Sequence, residues 1–146
     1  LVLFNYIEKH GEPLYDLINS NVKENRKVFF VHGGTEVEDR EEVRLLTEQE
    51  NNAIIVASYG TFSTGINIKR LHNIVFASPS KSRIRNLQSI GRVLRRGEGK
   101  TIATLYDIAD DIGGQNYTIK HLNERVNIYN EENFKYEVIK VNLRAT

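Results

Sequence analysis

The amino-acid sequence predicts an α/β domain in which a mostly parallel sheet is flanked by helices. Two observations lead to this fold class. Short apolar runs of strand length recur along the chain without clean alternation of apolar and polar residues, which is typical of strands buried on both faces. Amphipathic stretches of helical length lie between most of these runs. Strands that alternate with helices favour a parallel sheet with right-handed crossovers.

Five runs rich in β-branched and aromatic residues predict the strands, namely Leu1–Phe4, Val28–Val31, Ala53–Ala57, Ile74–Ala77 and Thr101–Tyr106. Helices are predicted at Glu12–Ile18 and Glu36–Glu48, where apolar residues lie partly on one face. A third helix is predicted at Ser82–Arg96, where apolar residues recur at spacings of three and four. Ser80 or Ser82 is placed to cap its N-terminus.

The pattern changes after the fifth run. Two glycines at 113 and 114 predict a loop, and Asn116–Glu132 then predicts a polar helix with one apolar side. Tyr136–Leu143 alternates, with a slip at Ile139, and predicts a final edge strand. We expect residues 113–146 to pack on the domain formed by residues 1–112.

The composition excludes several classes of protein. The 146 residues are 40% apolar and 27% charged, which fits one globular domain. The absence of cysteine excludes disulfides, zinc-thiolate sites and a cysteine nucleophile. No signal peptide and no apolar run long enough to span a membrane occur, so we expect a cytoplasmic location. Methionine is absent and the chain opens inside an apolar strand, which predicts a fragment of a longer protein.

Charge is distributed very unevenly along the chain. Between Lys69 and Lys100 nine basic residues face one acidic residue, Glu98, for a net charge of +8. The other residues include eleven basic and eighteen acidic side chains, for a net charge of −7. Such a split favours one face that binds phosphate, although a solvated basic helix would give the same composition.

The segment Gln88–Arg96 is the strongest candidate for chemistry. Arg92 and Arg95 are three apart on a predicted helix, and Gln88 precedes Arg92 by one turn, so all three share nearly one face. Guanidinium groups match phosphate oxygens bidentately. Gly91 leaves room for a close approach. The face therefore suits the polyphosphate of a nucleotide, unless it is simply a helix with exposed arginines.

Two loops follow predicted strands. Thr61–Ile68 comes after Ala53–Ala57 and a short turn, Ser58–Gly60, and is rich in small and hydroxyl residues. Such residues at the carboxyl end of a parallel strand suit phosphate contacts, although an ordinary connecting loop has the same composition. In the second loop, two glycines after His32 would let the backbone approach a ligand, and Thr35 is placed to cap the next helix.

Two other patterns are weaker evidence for a functional site. Gly99-Lys100-Thr101 ends like a phosphate-binding P-loop, but the glycine required five residues before Gly99 is Leu94. A P-loop also runs from strand to helix, whereas this segment runs from helix to strand, so we interpret it as a turn. The carboxylates at Asp107, Asp110 and Asp111 are better explained by an acidic helix start or loop than by a metal site.

Taken in chain order, these segments resemble the second RecA-like domain of superfamily 2 helicases. Gln88–Arg95 is similar to motif VI of that family, QxxGRxxR, Thr61–Ile68 is similar to motif V, and Leu1–Phe4 is similar to the strand of motif IV. The resemblance covers roughly residues 1–107. It implies a RecA-like three-layer fold and the C-terminal motor domain of an ATP-dependent helicase that remodels branched DNA.

The resemblance also implies roles for individual residues. Arg95 would be the arginine finger, Arg92 a second contact to the γ-phosphate, and Gln88 a group that positions the nucleotide or the attacking water. The ATP-binding candidates are Gly65, Asn67 and Gly91, although many family members carry aspartate where this chain has Asn67. Candidates for contact with the nucleic-acid backbone are His32, Gly33, Thr61 and Lys81.

The partners implied are single-stranded or branched DNA and an N-terminal RecA-like domain of the same polypeptide. That domain would supply the P-loop and the acidic box that hold ATP and Mg²⁺, neither of which occurs in this sequence. Two alternatives stay open: a passive nucleic-acid-binding module that uses the basic window without a motor, and a doubly wound domain that binds a small molecule.

Overall fold

A computed structural model of the chain describes residues 1–23, 25–63, 71–77, 103–113 and 117–143. Within them, five strands form one sheet: β1 (Val2–Phe4), β2 (Val28–Val31), β3 (Ile54–Ser58), β4 (Asn73–Phe76) and β5 (Thr104–Asp107). Their order is β2-β3-β1-β4-β5, and every pairing is parallel. The predicted fold class, a mostly parallel sheet flanked by helices, is confirmed.

In the described residues, four α-helices accompany the sheet: α1 (Glu12–Asn21), α2 (Val37–Gln49), the short α3 (Tyr59–Ser63) and α4 (Tyr117–Glu131). A five-residue π-helical turn, Ile7–Gly11, leads directly into α1. Three of the helices fall where amphipathic stretches predict them. The predicted helix Ser82–Arg96 lies outside the described residues.

One face of the sheet carries most of the core. Leu3 is level with Ala57 of β3 and with Phe76 of β4, so these three side chains project on the same side. All three are at most 2% exposed. α2 and α4 cover this face, since Val43, Ile128 and Tyr129 pack against the same cluster.

The opposite face is covered near β1 and β2 by aromatic rings. Phe4 and Phe30 stack with ring centroids 5.6 Å apart, and Tyr15 of α1 stacks on Phe30 at 5.3 Å. Helices thus lie on both faces of the sheet, which is the three-layer arrangement that strands buried on both sides require.

The prediction of an edge strand at Tyr136–Leu143 is wrong. Residues 134–143 form no strand. Tyr136 reaches the ring of Tyr129, with centroids 6.3 Å apart, but the apolar side chains that follow are 66–90% exposed, namely Val138, Ile139, Val141 and Leu143. Alternation marks a strand only where one of its two faces is buried, and here neither face is.

The predicted turn at Ser58–Gly60 is also different in the structure. Ser58 is the last residue of β3, and Tyr59 begins α3 without an intervening turn. None of the helices in the described part of the chain is long and apolar enough to cross a membrane.

Candidate functional site

The carboxyl edge of the sheet gathers the loops that the sequence singles out. Because all five strands are parallel, their last residues meet at this edge, where open α/β sheets bind ligands. The loop after β2 contains His32 and Gly33, and α3, which follows β3, contains Thr61. The structure thus brings three of the four predicted nucleic-acid contacts to one edge.

The turn after β2 is held by its own hydrogen bonds. Nδ1 of His32 accepts a hydrogen bond from the Gly34 backbone N–H at 3.0 Å, so a neutral imidazole carries its proton on Nε2. The Thr35 hydroxyl accepts from the His32 N–H at 3.1 Å, and the Thr35 N–H donates to the His32 carbonyl at 3.0 Å. His32 therefore has only Nε2 to offer a ligand.

The two glycines of this turn have different tasks. A Cβ on Gly34 would lie 3.0 Å from Cε1 of His32, whereas a Cβ on Gly33 would meet nothing within 4 Å. Gly34 thus permits the internal hydrogen bond to the imidazole, and the exposed Gly33 presents open backbone. The prediction that Thr35 caps α2 is wrong, because the N-cap is Glu36 and no side chain caps it. The Thr35 hydroxyl is instead used inside the turn.

Thr61 lies inside the structure rather than on its surface. It is 3% exposed, and its hydroxyl pairs with that of Ser58 at 2.7 Å. The pair joins the first turn of α3 to the end of β3. A contact from Thr61 to nucleic acid stays a prediction.

A buried ion pair lies at the other end of the same edge. Arg125 of α4 donates from Nε and Nη2 to the two carboxylate oxygens of Asp107, both at 2.7 Å, and the Tyr129 hydroxyl donates to the same carboxylate at 2.5 Å. The side chains of Arg125 and Asp107 are 2% and 10% exposed. This bidentate geometry is the strong form of a guanidinium–carboxylate bond.

Burial and the neighbouring Asp107 carboxylate both raise the pKa of Tyr129 well above its usual range. Burial alone would lower the pKa of Arg125, but the hydrogen bond and charge of Asp107 outweigh it and raise that pKa. The network therefore holds a charged arginine, a carboxylate and a neutral tyrosine. Within the described ranges, no group of three side chains suited to a metal ion occurs.

Sequence reasoning missed this network. Arg125 falls on the side of the predicted helix that carries Val126 and Tyr129, one turn before Tyr129. A charged residue within an apolar face needs a partner, and that is the signal that would have pointed to an acid such as Asp107. The remaining predicted site residues lie outside the described residues, namely Gly65, Asn67, Lys81, Gln88, Gly91, Arg92 and Arg95.

Comparison with known proteins adds two findings. A family model described as the helicase conserved C-terminal domain matches residues 1–97. The chain is also 41% identical, over 155 aligned residues, to the ATP-dependent DNA helicase uvsW of Enterobacteria phage T4. That alignment covers 97% of this chain and 30% of the relative, so the chain spans less than a third of the relative's length.

Proposed function

The chain belongs to the helicase conserved C-terminal domain family, and from this premise we propose that it is the C-terminal motor domain of an ATP-dependent superfamily 2 DNA helicase or translocase. The whole protein would unwind or remodel branched DNA. It would act in recombination, repair and replication, in the cytoplasm of the cell in which it is made.

The extent of the sequence match is the observation that carries this proposal. The family model spans residues 1–97, which include the segments similar to motifs IV, V and VI. The relative that matches nearly the whole chain is described as an ATP-dependent DNA helicase. The parallel sheet supports the same proposal, because the predicted contacts in its described loops share one edge.

ATP is the substrate in this proposal and binds between this domain and an upstream motor domain that holds Mg²⁺. Gln88 positions the nucleotide or the attacking water, while Arg92 and Arg95 face the γ-phosphate. Charge spreads over the phosphoryl oxygens in the transition state, and a guanidinium fork placed there stabilises that charge more than the ground state. Gly65, Asn67 and Gly91 would contact the rest of the nucleotide. Closure of the two domains on ATP would couple hydrolysis to movement along DNA.

His32, Gly33 and Lys81 are the proposed contacts to the DNA backbone. The turn geometry supports a division of labour between the first two. Gly33 offers an exposed main chain, and His32 offers a single N–H from Nε2, because its other ring nitrogen is already bonded to Gly34. Such contacts grip the strand without selecting a sequence.

The test uses the full-length protein that carries this chain. We expect Arg95→Ala to lower DNA-stimulated ATP turnover by about 10³- to 10⁵-fold while ATP affinity and melting temperature change little. Arg96→Ala is the matched control, because it removes the same charge from the next position of the predicted helix, about 100° around the axis. Arg95→Lys should not restore turnover, since an ammonium lacks the planar fork.

Two results would overturn the proposal. Equal ATP turnover in Arg95→Ala and Arg96→Ala would contradict the assignment of Arg95 as the arginine finger. Binding of branched DNA with no ATP hydrolysis by the wild-type protein would favour the passive module instead.

A further inference from the structure

Tyr6 and His10 form an exposed aromatic pair just beyond the end of β1. Their ring centroids are 5.3 Å apart with an interplanar angle of 65°. Tyr6 is 63% exposed, and His10 is exposed as well. Edge-to-face packing of this kind fixes two rings relative to each other and leaves ring surface free for a third aromatic group.

The backbone beneath this pair is held firmly. The Tyr6 carbonyl accepts hydrogen bonds from the N–H groups of both His10 and Gly11, each at 2.9 Å. Gly11 lies against the ring of the fully buried Phe4, so closely that a Cβ there would be 2.5 Å from the ring. The π-helical turn is thus pinned to the core, and turns of this type are rare and frequent at functional sites. Ring faces held in place before binding lose little entropy when a ligand arrives.

The pair is at the same edge of the sheet as the proposed DNA contacts. Tyr6 is two residues beyond Phe4, and His32 is two residues beyond Phe30, whose ring stacks on that of Phe4. β3 separates the two strands, so their last residues are about 10 Å apart, or two strand spacings, and the loops that follow leave from the same edge. A strand gripped at the turn after β2 would pass close to Tyr6.

The charge around the pair points to bases rather than phosphates. Between Tyr6 and Glu12, one lysine, Lys9, stands against two glutamates, Glu8 and Glu12, so the segment has no excess of lysine or arginine over acidic residues. Aromatic faces bind bases of any sequence by stacking. We propose that Tyr6, supported by His10, is a stacking platform for a base of single-stranded DNA. This inference rests on the proposed function and adds a base contact to it.

The test compares two single-stranded oligonucleotides of equal length, one of normal thymidines and one in which the central nucleotides are abasic. Binding of each to the full-length protein is measured by fluorescence anisotropy over a range of salt concentrations. Stacking contributes about 1–3 kcal/mol per base, so Tyr6→Ala should weaken binding of the normal strand by about 5- to 10-fold, at the lower end of that range. Tyr6→Phe, which keeps the ring, should bind normally.

Three further readouts separate stacking from other roles. Affinity for the abasic strand should be the same for wild type and Tyr6→Ala, because that strand has no central base to stack on Tyr6. The slope of log affinity against log salt should not change, since no phosphate contact is removed. The melting temperature of Tyr6→Ala should stay within about 2 °C of wild type, as expected for an exposed side chain.

If Tyr6→Ala lost the same affinity for both strands, or showed a smaller slope of log affinity against log salt, the stacking platform would be overturned and the proposed function left intact. Unchanged affinity for the normal strand would do the same. Failure of the wild-type protein to bind either strand would instead overturn the proposed function, and the platform with it.

Discussion

Removing Arg125 should destabilise this domain more than removing any exposed charge in its described part. In Arg125→Met the carboxylate of Asp107 stays in place, 10% exposed, with only the Tyr129 hydroxyl as a hydrogen-bond donor from the network. Breaking a buried pair by deleting one partner costs about 3–5 kcal/mol, because a buried charge is left uncompensated. For a chain of this size, that corresponds to a fall in melting temperature of about 6 to 20 °C.

The matched control is the ion pair between Lys27 and Glu50, which are 51% and 34% exposed. Its nitrogen and oxygen are 2.5 Å apart, closer than those of the buried pair. Distance alone would therefore rank it as the stronger interaction. Solvent screens it, however, so Lys27→Gln should cost at most about 1 kcal/mol.

Thermal and urea unfolding of both variants, followed by circular dichroism, decide between these views. In the double variant Arg125→Met/Asp107→Leu neither charge of the buried pair remains, so it should be more stable than Arg125→Met alone. Equal losses in Arg125→Met and Lys27→Gln would refute the argument from burial. A double variant less stable than the single one would refute the argument that the orphaned carboxylate carries the cost.

Four other predictions concern the same chain. Because the pKa of Tyr129 is raised on folding, the unfolded state loses the tyrosine proton first as pH rises. The free energy of unfolding should therefore fall above about pH 10. In Tyr129→Phe, the free energy of unfolding, measured by urea titration at pH 9 to 11, should fall less steeply with pH than in the wild type. Identical slopes in the two proteins would contradict the raised pKa of Tyr129. Gly11→Ala should cost about 1–3 kcal/mol, since its Cβ would clash with the ring of Phe4, whereas Gly60→Ala, with nothing within 4 Å of its Cβ, should show no such loss. The 146-residue chain by itself should hydrolyse no ATP in a coupled assay with or without DNA, and DNA-stimulated turnover would contradict the need for an upstream domain. The same chain should bind single-stranded DNA weakly, with a slope of log affinity against log salt concentration of about −1.5 to −3. An affinity that does not change with salt concentration would count against phosphate contacts.

The sequence was sufficient for the sheet and most helices because their signals are local. Runs such as Val28–Val31 are continuous, apolar and β-branched or aromatic, and the buried parallel strands lie where these runs predict them. The resemblance to superfamily 2 helicases is confirmed by the family match over residues 1–97.

The features that sequence reasoning missed depend on contacts between distant segments. Alternation at Tyr136–Leu143 is compatible with a strand, but it gives no information on whether a neighbouring strand is free to pair. The Thr35 hydroxyl does not cap α2, because it accepts a hydrogen bond from the His32 N–H inside the turn. The partner of Arg125 is 18 residues away in sequence, on β5. No periodicity links the two.

The position of β1 has a consequence for synthesis on the ribosome. β1 comes first among the five strands in the chain but lies at the centre of the sheet, between β3 and β4. Its neighbour β3 ends at residue 58, so at about 5–20 residues per second the apolar strand waits about 3 to 11 seconds for a partner. Until then it is an unpaired edge that other nascent segments can join. The centre of this sheet therefore stays open until β3 has been made, and a translational pause between β1 and β3 would lengthen the interval in which the chain can aggregate.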